Sequence, residues 1–519
     1  MRICPFPAHN HQFKIQVLIP EDNKTFTVPL INGGTYNFTV NWGDNSETII
    51  TAYNVGTTHT YANGGTYIIS MKGTCTKFKF NNAGDKTKLK KVLDIYDMGF
   101  TNLDFYGCSN LTTVVSMKKL KSLTTALCMF SGCTSLTDLP NNMFDGSTGI
   151  VSFQRVFENC SKPTAVPVDL FRYNVLATDF DSVFLGCTKL ASIPENLFRY
   201  NTGVTTFRRA LSGCTSLTTV PANLFKYNIL VNNFDSLFGN NSTNLTSVPA
   251  DLFRHNTAVT NFSYAFYGCR ALTSIPTDLF RYNTLVDNFS YIFYNCTNAA
   301  LTSIPNDIFR YNTLVTNFQA TFYGWSAITD INANLFQYNE LVTNFTLVFG
   351  KCAKLTSLPA DLFKYNTAVT TFSSAFQDCT ALATIPTDLF RYNTLVTIFT
   401  YAFYGCTALT TTPANFFKYN TLATNFDETF RGCNKMQQNA TIFYADGEQT
   451  TRFLNKSVDF TYCFLRNSFT GTQGIAPDLW DCDFGTGTPT KTGCWLNPGN
   501  SLTSLTNYND IPAAWGGPA

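Results

Sequence analysis

With 519 residues the chain exceeds what one ordinary core sustains, so it holds several domains or a solenoid that grows by addition. Its formal charge is +2 and only 13% of its residues are charged, which excludes the strong basic excess of a nucleic-acid binder. A content of 48 Phe and 25 Tyr excludes disorder and demands that aromatic rings be buried in a regular way.

Residues 1–12 read as an N-terminal arm. Its opening, Met1-Arg2-Ile3-Cys4-Pro5-Phe6-Pro7, lacks the apolar run of about 7–15 residues of a secretory signal. No stretch approaches the roughly 20 apolar residues of a membrane span, so a soluble chain without membrane insertion is expected.

Residues 13–80 read as a small β domain. Strand-like alternation marks Phe13–Ile19, Thr25–Val28, Tyr36–Val40 and Thr66–Ser70, separated by Gly and Asn turns. Two motifs, Asn41-Trp42-Gly43-Asp44-Asn45 and His59-Thr60-Tyr61-Ala62-Asn63-Gly64-Gly65-Thr66-Tyr67, resemble those of the PKD-type immunoglobulin-like sandwich. The resemblance implies an all-β Ig-like fold used for spacing or attachment. Asp44 is expected to fix a turn and Trp42 to fill the core. Residues 81–130 read as an N-terminal cap with degenerate repeats, whose charged run Asn82–Lys91 suits the closing of an open end.

From 131 to 437 the chain repeats itself with a period of 27 residues, most clearly in Leu272–Asn298. Such a period marks a solenoid, because each unit is too small to bury its own apolar face. Three Phe columns run through the copies, beginning at Phe144, Phe153 and Phe157. A Cys column holds most of the 17 cysteines, with Asn241 and Trp325 in two copies; the column reads as small buried hydrophobes, since a spacing of 27 offers no metal site. An Asn column from Asn174 to Asn420 reads as a ladder in which each amide both donates and accepts. Each half-repeat is expected to be a short extended segment followed by a helical or 3-10 turn, opened by Pro as at Pro276.

The units resemble the BspA-like leucine-rich repeat family of bacterial surface proteins, as in Val315-Thr316-Asn317-Phe318 and Phe322-Tyr323-Gly324. The resemblance implies a solenoid with parallel β-ladders and a surface role. Residues 438–519 read as degenerate repeats and a C-terminal cap, with echoes at Phe460–Phe464, Leu502–Tyr508 and Asp510–Trp515.

No phosphate loop, His-Glu-x-x-His or Gly-x-Ser-x-Gly motif is present, and none of His9, His11, His59 and His255 has a recognisable partner. Asp179, Asp181 and Asp235 occupy related positions, the one hint of a carboxylate pair. No enzyme, cofactor or metal is expected. The Arg-Tyr pairs, such as Arg281-Tyr282, read as a solvated edge. The residues after the second Phe column vary between copies, and this edge gathers Tyr264, Tyr267, Tyr291, Tyr294, Tyr323 and Trp325 as candidate ligand-binding residues. The length changes near Asn241-Ser242-Thr243 and Asn298-Ala299-Ala300 adjoin it. Together these readings describe a non-enzymatic binding protein that contacts a cell-surface glycan or protein. The setting expected is a phage virion, as a fibre or receptor-binding component, with other virion proteins held through the N-terminal domain and a homo-oligomer allowed. The alternatives are a bacterial cell-surface adhesin whose leader is missing and a purely structural virion protein.

Overall fold

Alternation of apolar and polar residues in Phe13–Ile19 builds strand β1, whose Phe13, Ile15, Val17 and Ile19 are buried. This computed structural model describes residues 12–115, 117, 120–241, 244–445, 447–465, 474–495 and 505–517. The first eleven residues of the arm, His9 and His11 among them, lie outside these, as do Ser242, Thr243 and the Leu502–Ser504 part of the terminal echo. The chain divides into two compact units, Met1–Asn244 and Leu245–Ala519.

In the first unit the strands are β1, β2 (Lys24–Thr27), β3 (Tyr36–Asn41), β4 (Glu47–Ile50), β5 (Thr58–Tyr61), β6 (Gly65–Cys75), β7 (Lys77–Lys79), β8 (Leu89–Asp94), β9 (Asn102–Asp104) and β10 (Thr113–Val114). A six-stranded sheet has the order β10-β8-β1-β6-β3-β4, with β2–β5 and β7–β9 as separate pairs. Trp42, Phe26, Phe38 and Tyr61 fill the core of this all-β region. Asn45 takes the left-handed backbone its turn needs, at φ 72°.

The sheet does not stop at residue 80. β8 pairs antiparallel with β1, covering an edge that would otherwise stand open, and β10 pairs with β8 in parallel. The Thr112 N–H then donates to Lys90 O and the Thr137 N–H to Thr112 O, so the sheet edge becomes the start of the coil ladder. The end of the charged run, Leu89–Lys91, is therefore part of a sheet, while Asn82–Gly84 stay exposed. Lys86–Lys88 forms a 3-10 turn, and Lys88 Nζ is tied to Asp85 Oδ1 and Thr25 O.

The coils contain almost no strand. Neighbouring coils meet at single parallel bridges, Ser152↔Asp179 and Asp179↔Thr206 in the first unit and Asn288↔Asn317 and Asn317↔Asn344 in the second. Between bridges the chain runs through successive turns, where a helical or 3-10 turn was expected. In one coil the N–H groups of Leu170, Arg172 and Asn174 donate to the carbonyls three residues earlier, starting from Pro167. Around the second and third Phe the backbone donates forward to the next coil, as Phe153 N to Asp179 O and Arg155 N to Asp181 O. Within each unit the Phe rings stack coil on coil: Phe153 and Phe180 lie 5.3 Å apart, and Phe345 and Phe372 lie 5.8 Å apart and almost parallel.

Buried side chains complete the backbone. Asn339 Nδ2 donates to Phe309 O at 3.1 Å and to Asn312 O at 2.9 Å. The ladder is thus a donor ladder only, for the Oδ1 atoms of Asn339, Asn366 and Asn393 have no partner. At its C-terminal end Arg452, buried to 5% exposure, takes over by donating to Asn420 O and Phe443 O. Burial pushes this guanidinium down to about 10.

The Cys column follows the same logic. Cys352 Sγ donates to Phe322 O and Cys379 Sγ to Phe349 O. Asn241 Nδ2 in the first unit does the same toward Leu211 O at 2.9 Å. The shared property of the column is a donor hydrogen, not apolar size. The second unit ends under aromatic lids, with Trp495 stacked on Phe464 at 5.6 Å and Trp515 against both Trp495 and Phe460.

Asn339→Ala removes the second hydrogen bond of two buried carbonyls, which keep the N–H groups of Asn312 and Val315, and is expected to cost about 1–3 kcal/mol in urea denaturation; a loss below about 0.5 kcal/mol would remove the ladder from the stabilising interactions. Burial raises the thiols of Cys296 and Cys379 to about 12, whereas Cys128 is only half-buried. Iodoacetamide at about pH 8 is therefore expected to alkylate Cys128 and spare Cys296 and Cys379 until denaturant is added, as read by peptide mass spectrometry.

Candidate binding face

The residue before the second Phe accepts a hydrogen bond from the N–H two positions on in most coils, Ile398 having no acceptor to offer. Asn261 Oδ1 takes it from Ser263, Asn288 Oδ1 from Ser290 and Asn317 Oδ1 from Gln319, at 2.8–2.9 Å. These Asx turns aim the next two residues. The second of them is left-handed in coil after coil: Arg155 (φ 54°), Ser182 (57°) and Arg209 (52°) in the first unit, and Tyr264 (56°), Tyr291 (56°) and Tyr401 (58°) in the second. Glycine would sit there without steric cost, yet these coils carry a side chain at about 1 kcal/mol of strain. The equivalent place after the third Phe does use glycine, as at Gly268, Gly324 and Gly405.

Five of the six candidate ligand residues come together on this edge. Tyr264 and Tyr291 stack at 4.5 Å and 4°, Tyr267 and Tyr294 at 5.3 Å, and Tyr294 and Tyr323 at 4.6 Å and 4°. Tyr264–Tyr267 and Tyr291–Tyr294 contacts of 5.9 and 5.5 Å join the two rows. All five are half-buried. Their faces are turned on one another, so the rows offer mainly ring edges and hydroxyls, not open faces for a sugar ring.

Gln319 Nε2 donates to Tyr291 OH at 2.9 Å. Lys351 lies 5.6 Å from the Tyr323 ring, and a hydrogen bond with Tyr323 holds its ammonium above the ordinary range. Lys351 was not among the expected residues, although its position between Gly350 and Cys352, where Gly-Cys is usual, carries the signal.

Trp325 does not belong to this face. It is 1% exposed, its indole N–H donates to Phe293 O at 2.9 Å, and its ring packs edge-on against Phe293 and Phe322. It occupies the Cys column as the donor of its coil, and aromatic character alone had suggested a surface role.

The carboxylates of the first unit form no catalytic pair. Arg208 lies between Asp181 and Asp235, at 3.2 and 3.1 Å, while Asp179 accepts from the Asp181 N–H and from Ser152 Oγ. His59, given no partner by the sequence, bonds Asp44 Oδ2 through Nε2 at 2.7 Å and stacks on Trp42. Burial acts to raise the Asp44 carboxyl, but hydrogen bonds from Ser46 and His59 outweigh it and hold the carboxyl below its usual range. With Tyr61 OH donating to Trp42 O, the cluster locks a turn. His255 is exposed. Among the described residues no group of three or more His, Cys, Asp or Glu is placed to hold a metal ion.

Near the C-terminal end of the second unit the same edge turns acidic. Burial, then Asp459 and Glu428, raise Asp427 to about 6. Between the ordinary carboxylate range near ~4 and that value, the folded chain holds a proton the unfolded chain has lost. Stability therefore falls as pH rises through this window, and the penalty is complete above it. Asp427→Asn is expected to stabilise by about 1 kcal/mol at neutral pH, allowing for solvent screening, and by nothing near pH ~4, measured by thermal unfolding against pH.

Residues 316–443 match the family described as "Mycoplasma protein of unknown function, DUF285". No curated protein matches the chain. Similar solved structures include the Toll–Spatzle complex of Drosophila, at 15% identity over 65% of this chain and 38% of that one, with a TM-score of 0.33. The TLR13–ssRNA13 complex matches at 14% identity over 65% of this chain and 55% of that one, with a TM-score of 0.28. The leucine-rich repeat ectodomain of GASSHO1/SCHENGEN3 from Arabidopsis thaliana matches at 10%, over 78% and 56%, with a TM-score of 0.20. The chain spans less than two thirds of the length of each. The stacked 27-residue coils make each unit a repeat solenoid.

Proposed function

We propose that the chain is a non-enzymatic binding protein whose tyrosine edge in the second unit contacts a protein on a cell surface. The observation that carries this reading is the double row of half-buried tyrosines, one row of which, Tyr264 and Tyr291, is set on left-handed residues. Tyrosine supplies large contact area and a hydroxyl at low entropic cost, which is why it dominates recognition surfaces. Self-stacking of the rings favours a protein surface over a glycan, since a sugar would need the faces that the rows already use. The all-β region of the first unit is read as a PKD-like attachment module, and a phage particle as the setting. The support for both is the pair of sequence motifs and their combination with the repeats. Mass spectrometry of purified particles tests the setting; particles lacking the chain would exclude it.

The triple variant Tyr264→Ala/Tyr291→Ala/Tyr323→Ala is expected to lose at least about tenfold in binding of the labelled chain to intact cells, with a thermal midpoint within a few degrees of the parent. Unchanged binding would remove this face from the function. Protease treatment of the cells is expected to abolish binding; sensitivity to periodate alone would assign the partner to a glycan. Trp325→Ala, by contrast, is expected to cost about 3–5 kcal/mol of stability as a core truncation.

A further inference from the structure

A different corner of the coils carries the most regular exposed apolar surface of the second unit. Two and five residues after the first Phe stand a Tyr and a Leu: Tyr282 (37% exposed) with Leu285 (48%), Tyr311 (38%) with Leu314 (44%), and Tyr338 (38%) with Leu341 (50%). The row resumes at Tyr392 and Leu395 and at Tyr419 and Leu422. Arginines lie over these tyrosines, Arg281 at 5.8 Å from Tyr282 and 5.3 Å from Tyr311, but leave the leucines open. Nothing in the fold of the coil requires the leucine, whose side chain is about half in water.

We propose that this ridge is a homotypic interface, with a second copy of the same chain as its occupant. Three features point to that partner. The ridge recurs at the coil spacing, about 4.8 Å by backbone pairing, so an occupant that meets every rung must repeat at the same spacing. A second copy does so by construction.

The ridge also carries both charges in step, in the pairs Asp278–Arg281, Asp307–Arg310 and Asp388–Arg391 at 3.6–3.8 Å. These side chains are 45–57% exposed, so the pairs are weakly held and free to exchange with those of another copy without net repulsion. Finally, a Tyr and a Leu offering on the order of 150 Å² per coil, summed along the unit, reach the roughly 800 Å² per partner of a standard interface. A self-complementary patch of this kind closes by two-fold symmetry.

The test is sedimentation of the full chain between ~0.1 and ~100 µM. Concentration-dependent self-association is expected. Leu285→Glu/Leu314→Glu/Leu341→Glu changes only exposed side chains, so its circular dichroism should match the parent while self-association weakens at least ~100-fold. The Tyr264→Ala/Tyr291→Ala/Tyr323→Ala variant should associate like the parent, which separates this ridge from the partner-binding face. A parent chain that stays monomeric at ~100 µM overturns the proposal, as does association that the leucine changes leave intact.

Discussion

The structure depends on side-chain donors that reach inward-facing carbonyls. A coil made of turns with single-residue bridges cannot satisfy all of its backbone through a sheet, and the carbonyls of the first and third Phe columns sit in the interior. Each already accepts the N–H three residues on, as Phe309 O does from Asn312 and Phe349 O from Cys352, so a side-chain donor adds a second hydrogen bond of about 0.5–1.5 kcal/mol. Burying a Phe contributes about 1.5–3 kcal/mol. The side-chain donors of one coil together therefore contribute about as much as one of its buried rings. Asn amides serve the first column and Cys thiols the third, and where these stop, Arg452 and Trp325 perform the same task with different chemistry.

Period, Phe columns and the position of the tyrosine edge were legible in the sequence because they are properties of register. So were strands β1, β2, β3 and β6, marked by alternation and bounded by turns. What register could not show was direction and partnership. Cys, Asn and Trp look unrelated until their hydrogens are seen to meet equivalent carbonyls, and for that reason Trp325 was read as surface. β8 escaped because a lysine-rich hexamer reads as solvated until the open edge of β1 gives it a partner. The left-handed row escaped because its residues are Arg, Ser and Tyr, with no glycine to mark it.

Two surfaces of the coil follow opposite rules. The tyrosine edge changes from coil to coil and accepts backbone strain to keep a side chain in place, as expected where contact chemistry outweighs local comfort. The Arg-Tyr-Leu ridge keeps its Tyr and Leu in five of the seven coils of the second unit and carries no strain. A surface that varies along its length suits a partner with its own irregular features; one that does not vary suits a partner as periodic as itself.

The thiol column has a consequence for the protein's persistence. Folded, the sulfurs of the column are sealed from solvent and are compatible with an oxidising or a reducing surrounding. Unfolding releases them together, with ordinary thiol acidity and on a flexible chain. Once a column cysteine is oxidised, its donor hydrogen is gone and a larger, polar sulfur group must return to a buried site on refolding. In air the durability of this solenoid is then a matter of rate and not of equilibrium: its lifetime is the waiting time for its first opening.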